Sequence, residues 1–194
     1  MTTRRRALRA MAAGGAALGA GAYVGGWIGP QTTEGRQSPA QDVRIFNFLL
    51  VLEEAQAAFY DAALRNSSLR GDLLQFARVV APQEHEHVAF LRRELGSKAQ
   101  AKPKLDFAQA TSDAGRFRAT AIDLEEATAA AYIGQGASLT ADRVLDAARI
   151  VAVEARHAAW IRDLAGADPA PRAADPARSA DDVLAELRRK GFLR

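Results

Sequence analysis

Leu52-Glu53, leading to Phe59-Tyr60 and followed by Glu84-His85-Glu86-His87, is one half of a pattern that the chain carries twice. The second half runs from Leu124-Glu125 to Ala131-Tyr132 and on to Glu154-Ala155-Arg156-His157. In each half a tyrosine stands seven residues after the lone glutamate, and the Glu-x-x-His begins 31 residues after that glutamate in the first half and 29 in the second. Residues three apart on an α-helix share a face, so each Glu-x-x-His presents one carboxylate and one imidazole in the same direction. Four helices so equipped can gather Glu53, Glu84, Glu125, Glu154, His87 and His157 inside one bundle. Oxygen and nitrogen donors in that number suit two bridged transition-metal ions.

Charge balance favours that reading. A glutamate within an apolar stripe costs several kcal/mol if it stays ionised and unpaired, and four meeting in one core also repel. Two divalent cations would neutralise four carboxylates, with neutral imidazoles completing the coordination. Glu53 neighbours Glu54, and Glu125 neighbours Glu126; adjacent side chains diverge by about 100°, so only one of each pair is expected to face the core. Glu53 and Glu125 are chosen because they share the face of Tyr60 and Tyr132. His85 and Glu86 lie off the Glu84/His87 line and are expected outside the cluster, Glu86 being a weaker candidate ligand. The tyrosines admit two readings: core aromatics closing the bundle layers, or hydroxyls that bond the ligand carboxylates. Trp160 is expected to pack.

At 194 residues the chain suits one domain with a single core. Its abundant alanine, few prolines and lack of strand-like alternation favour an all-α fold. With no cysteine, neither disulfides nor thiolate metal sites can form. The spacing predicts a four-helix bundle over 41–166. Helix one is expected over 41–66, with Phe46, Leu49, Leu50, Ala57, Tyr60 and Leu64 on one stripe. Helix two is expected over 69–95, stopped by Gly96. The polar segment 97–106 is long enough to cross over along the bundle. Helix three is expected over roughly 108–135, starting in earnest after Ser112-Asp113 and ending at Gly134 and Gly136. Helix four is expected from an N-cap at Thr140 to Gly166. In the Pro/Ala-rich tail 167–194, Ser179 caps a short helix bearing Val183, Leu184 and Leu187.

The net charge of +3 is local to one end. Arg4, Arg5, Arg6 and Arg9 account for all the charges of residues 1–22, and taking those four from the 26 basic residues leaves 22 against 23 acidic. A near-neutral body gives no electrostatic footprint for nucleic acid. Thr3-Arg4-Arg5-Arg6-Ala7-Leu8-Arg9, ahead of an uncharged Ala/Gly-rich stretch, resembles a twin-arginine export signal within residues 1–29, with Ala7 where phenylalanine is usual. Ala20-Gly21-Ala22 offers a cleavage site; without cleavage the segment would anchor the protein in a membrane. Residues 30–40 read as a linker.

Together, the motifs around Ile45-Phe46-Asn47-Phe48-Leu49, Glu53, Tyr60, Glu84-x-x-His87-Val88, Glu125, Tyr132 and Val153-Glu154-Ala155-Arg156-His157 resemble the ferritin-like superfamily, particularly its exported, desiccation-related bacterial branch. The resemblance covers residues 42–165. It implies Glu53 and Glu125 as terminal ligands, Glu84 and Glu154 as bridges, and His87 and His157 as one imidazole per metal. Gln56 departs from the pattern, since relatives often carry a second acidic residue in that helix. The implied function is an exported protein with two iron ions, manganese being the other candidate. It would bind and oxidise Fe(II) with dioxygen or peroxide and protect the periplasm or envelope against stress, and the twin-arginine machinery would be its export partner. A homodimer is compatible with this reading. The alternative is a helical binding module at the envelope, either free of metal or holding it only structurally.

Overall fold

The computed structural model describes residues 37–66 and 68–194. The expected signal segment and most of the expected linker lie outside the described residues. Within them the secondary structure is helical: α1 (Pro39–Arg65), α2 (Gly71–Leu95), a 3-10 turn (Gly96–Lys98), α3 (Ala114–Gly136), α4 (Ala141–Leu164) and α5 (Ala180–Arg189). α1 starts two residues earlier than the linker reading allowed. Ser38 accepts a hydrogen bond from the Gln41 amide at 3.2 Å and Pro39 occupies the first turn, where its missing N–H costs nothing. Gly96, with φ of 55°, ends α2 as expected. α3 begins only at Ala114, where Asp113 caps it by accepting from the Arg116 amide at 2.9 Å. α4 follows Thr140, but that side chain makes no cap. Its hydroxyl donates to Asp42 on α1 at 2.7 Å instead, so a tertiary contact replaces the expected local one. Ser179 caps α5 by accepting from the Asp182 amide at 3.2 Å.

Two contacts fix the direction of the helices. Tyr60 on α1 reaches Glu125 on α3, while Tyr132 on α3 reaches Glu53 on α1. The order of contacts is reversed along the two helices, so α1 and α3 are antiparallel. α2 folds back on α1, and α4 on α3, as two hairpins. The end of the first hairpin therefore lies at the opposite end of the bundle from the start of the second, and residues 96–113 must cross its length. They run beside α1. At one level Asn47 donates to the Lys98 carbonyl at 3.0 Å and accepts from the Gln100 amide at 2.7 Å. At the other, Asn66 donates to the Thr111 hydroxyl at 2.6 Å and Ser68 to the Thr111 carbonyl at 3.2 Å. Asn47 to Asn66 is roughly 28 Å of helix, within the roughly 43 Å that the chain from Lys98 to Thr111 can span.

This crossover alters the burial of α1. Phe59 lies off the expected stripe yet is fully buried, because Phe107 of the crossover meets it with ring centroids 5.5 Å apart and Phe117 of α3 stacks on it at 5.2 Å. Leu52 and Ala55 are buried as well, whereas Leu64, expected on the stripe, is only half-buried. Trp160 packs edge-on to Phe76 at 5.1 Å. α5 lies against α3 and sends Val183 and Leu187 into the core.

Gly134 does not stop α3. A Cβ there would stand 2.0 Å from the Arg178 carbonyl oxygen, because the tail returns against the helix and the Arg178 amide donates to the Ala130 carbonyl at 2.9 Å. Gly136 has open space around it. Gly134→Ala is therefore expected to push the tail off α3 and cost about 1–3 kcal/mol. Gly136→Ala should be neutral or stabilising by up to about 1 kcal/mol, both measured by denaturant unfolding.

Candidate metal centre

The six repeated side chains converge in the middle of the bundle. Glu53 comes from α1, Glu84 and His87 from α2, Glu125 from α3, and Glu154 and His157 from α4; the four glutamates are 0 % exposed. Their donor atoms form two overlapping sets, Glu53/Glu84/His87/Glu154 and Glu84/Glu125/Glu154/His157, with the atoms of each set within 4.8 Å of one another. Glu84 and Glu154 belong to both. His87 Nδ1 lies 3.2 Å from Glu53, 3.4 Å from Glu84 and 3.0 Å from Glu154. His157 Nδ1 lies 3.0 Å from Glu84 and 3.4 Å from Glu125. The imidazole rings are 6.4 Å apart between centroids.

Four buried polar atoms here, both carboxylate oxygens of Glu84, Oε1 of Glu154 and Nδ1 of His157, have no hydrogen-bond partner. Buried polar atoms in folded proteins are nearly always bonded, and these four point at one another. Hard oxygen donors and imidazole nitrogens, orphaned and convergent, fit divalent transition-metal ions. Glu86 is exposed and outside both sets, which removes it as a candidate ligand. His85 faces outward and meets Asp61 at 3.1 Å.

The tyrosines combine both readings offered above. Tyr60 and Tyr132 are 0 % and 2 % exposed, and their hydroxyls bond carboxylates across the bundle. Tyr132 donates to Glu53 at 2.6 Å and Tyr60 donates to Glu125. Each repeat thus braces the glutamate of the other. Glu54 corrects the expectation that only one glutamate of each pair would turn inward. It is 3 % exposed because Arg92 of α2 pairs with it away from the centre, and Glu126 pairs in the same way with Arg162 of α4.

Sequence reasoning missed three polar residues around the cluster. Gln56, fully buried, donates its amide to Glu125 and Glu154 at 3.0 Å each and accepts from the Thr128 hydroxyl at 2.7 Å. Gln83 Oε1 lies 2.7 Å from His157 Nε2. Gln56 was visible as a departure from the family, and its spacing of three from Glu53 was the signal for its inward face. Gln83 precedes Glu84 and sits off the ligand line, so nothing local marked it.

Burial pushes the carboxyls up: Glu53 to about 7, and Glu154 to about 8 with the Glu53 charge adding to the effect. Glu84 is raised by burial and then by Glu154. Burial alone would lower the imidazoles, but the surrounding carboxylates outweigh it, raising His87 and taking His157 to about 10. Both tyrosines are held well above 10 by burial and by the facing carboxylates, so they stay protonated donors. Without metal, protons therefore balance the centre. Each of these shifts is upward, so between about pH 4.5 and 8 these groups hold more protons in the folded chain than in the unfolded one, and their contribution to stability falls as pH rises. The metal-free protein is expected to melt lower at pH 8 than at pH 5, by calorimetry. Divalent metal should raise the melting temperature more at pH 8, where fewer protons must be displaced.

No curated protein sequence matches the chain. A model of the ferritin-like domain matches residues 41–167, the span of the four helices and everything that converges between them. With its repeated hairpins and their shared buried carboxylates inside that span, the chain belongs to the ferritin-like domain family.

Proposed function

We propose that the chain is a dinuclear metal-carboxylate protein whose resident metal is iron, with manganese as the alternative, and that it oxidises Fe(II). The observation that carries this reading is the pair of overlapping donor sets sharing the orphaned carboxylates of Glu84 and Glu154. In it, Glu84 and Glu154 would be shared by the two ions, Glu53 and His87 would complete the ligands of one, and Glu125 and His157 those of the other. Bound iron would supply one electron per ion to dioxygen or peroxide, the chemistry a cysteine-free O/N donor set leaves open.

The chain's own residues do the rest. Tyr60 and Tyr132 fix one oxygen of Glu125 and Glu53, while the other oxygen of Glu125 accepts from Gln56 and that of Glu53 faces His87 Nδ1. Phe76, Phe117 and Val80 are among the fully buried side chains walling the core, so the carboxylates work in a dry, low-dielectric space where they hold cations strongly. The proposed setting is the periplasm or envelope, reached by the twin-arginine machinery through residues 1–29, in protection against oxidative or drying stress. No helix among the described residues is long and apolar enough to cross a membrane.

Anaerobic addition of Fe(II) followed by air is expected to leave about two iron atoms per chain, with oxygen consumed in proportion. Metal bound without oxygen uptake would reduce the centre to a structural role. No metal bound, and an unchanged melting temperature, would leave the metal-free binding module. Glu84→Gln removes a shared, repelled charge. It is expected to abolish most of the stabilisation by metal in a thermal-shift titration, with helicity of the metal-free protein intact by circular dichroism.

A further inference from the structure

The two halves of the centre are related by a fixed offset. It is 72 residues between α1 and α3, linking Glu53 to Glu125, Glu54 to Glu126 and Tyr60 to Tyr132, and 70 between α2 and α4, linking Glu84 to Glu154, His87 to His157 and Arg92 to Arg162. Around this symmetric core the neighbours do not match. Gln83 corresponds to Val153, and Gln56 to Thr128.

We propose that the two ion positions fill in order, the Glu125/His157 side first, and that Gln83 and Gln56 are the positioning residues that set this order. The proposal rests on the dinuclear reading above. An amide oxygen only accepts, so at 2.7 Å from Gln83 Oε1 the Nε2 of His157 must carry the proton. In the neutral ring that places the lone pair on Nδ1, the atom that faces Glu84 and Glu125. A hydrogen bond of this kind fixes the tautomer and ring orientation of a metal-binding histidine and strengthens it as a ligand. His87 has no such protein partner: Val153 offers no polar atom, and the Nε2 of His87 has no hydrogen bond to any described residue.

Gln56 adds to the same side. Both of its N–H groups are used, on Glu125 and Glu154, and its orientation is fixed by the Thr128 hydroxyl. Thr128 gives its single proton to Gln56 and has none left for Glu53 or Glu84. The tyrosine braces are equivalent on the two sides and cancel. The Glu125/His157 set thus meets an ion with ligands already placed, whereas the Glu53/His87 set must be ordered when the ion arrives, and preorganised ligands bind more tightly.

Calorimetric titration of the full chain with Co(II) tests this. The wild type is expected to take up two ions in two resolved steps, separated by more than the statistical factor for identical positions. Gln83→Leu, at a half-buried helix position, should weaken the first step by about 10- to 100-fold and merge it with the second. Val153→Gln should tighten the second step and narrow the gap. His157→Ala should lose the tight step, and His87→Ala should keep it. Two ions bound in equivalent steps, or a gap unmoved by Gln83→Leu with helicity intact by circular dichroism, would overturn the ordered filling while leaving the dinuclear centre standing. Fewer than two ions on the folded wild type would overturn both.

Discussion

Four carboxylates meeting in the dry middle of a bundle are the constraint around which the rest of the fold is arranged. Glu53, Glu84, Glu125 and Glu154 are wholly removed from water, and their charges cannot stand unneutralised at that depth. Protons meet the need in the metal-free chain, at the cost of upward-shifted carboxyls and imidazoles; cations can meet it otherwise. Nothing in the hydrophobic core requires these glutamates, and aliphatic residues in their place would make a steadier bundle. Their convergence from four helices gives the bundle a donor cluster that could hold metal ions.

The cluster is also what the internal repeat accomplishes. One hairpin holds a glutamate and a Glu-x-x-His but cannot by itself close a shell around them. Meeting its copy in the antiparallel sense brings each glutamate beneath the other's tyrosine and makes Glu84 and Glu154 common to both donor sets. The Glu54–Arg92 and Glu126–Arg162 pairs repeat the symmetry at the outer edge of each hairpin. Where symmetry fails, at Gln56 against Thr128 and Gln83 against Val153, the two halves acquire different chemical surroundings.

Much of this was legible in the sequence because helical periodicity is local. The four helices, the Gly96 stop and the Ser179 cap follow from residues within a few positions, and the six candidate ligands follow from a spacing that occurs twice. What was not legible depends on partners distant in sequence. Glu54 looked like a surface residue until Arg92 came across from α2, and Thr140 looked like a cap until Asp42 took its hydroxyl. Gly134 read as a helix stop, although its missing side chain makes room for the backbone at Arg178. Gln83 touches the centre through His157, on a helix that its own sequence neighbourhood does not mention.

The crossover has a further effect on how the molecule meets its surroundings. By lying along α1 it covers the flank that would otherwise face water, and α5 does the same for α3. Between Ile45 and Tyr60 no residue is exposed, and between Thr120 and Tyr132 only Asp123 is. α1 and α3 have become interior rods with hardly any outer surface, while α2 and α4 keep broad solvent faces. The outward character of the protein is therefore written on α2, α4, the crossover and the tail, while the middle stretches of α1 and α3 are held by packing on every side.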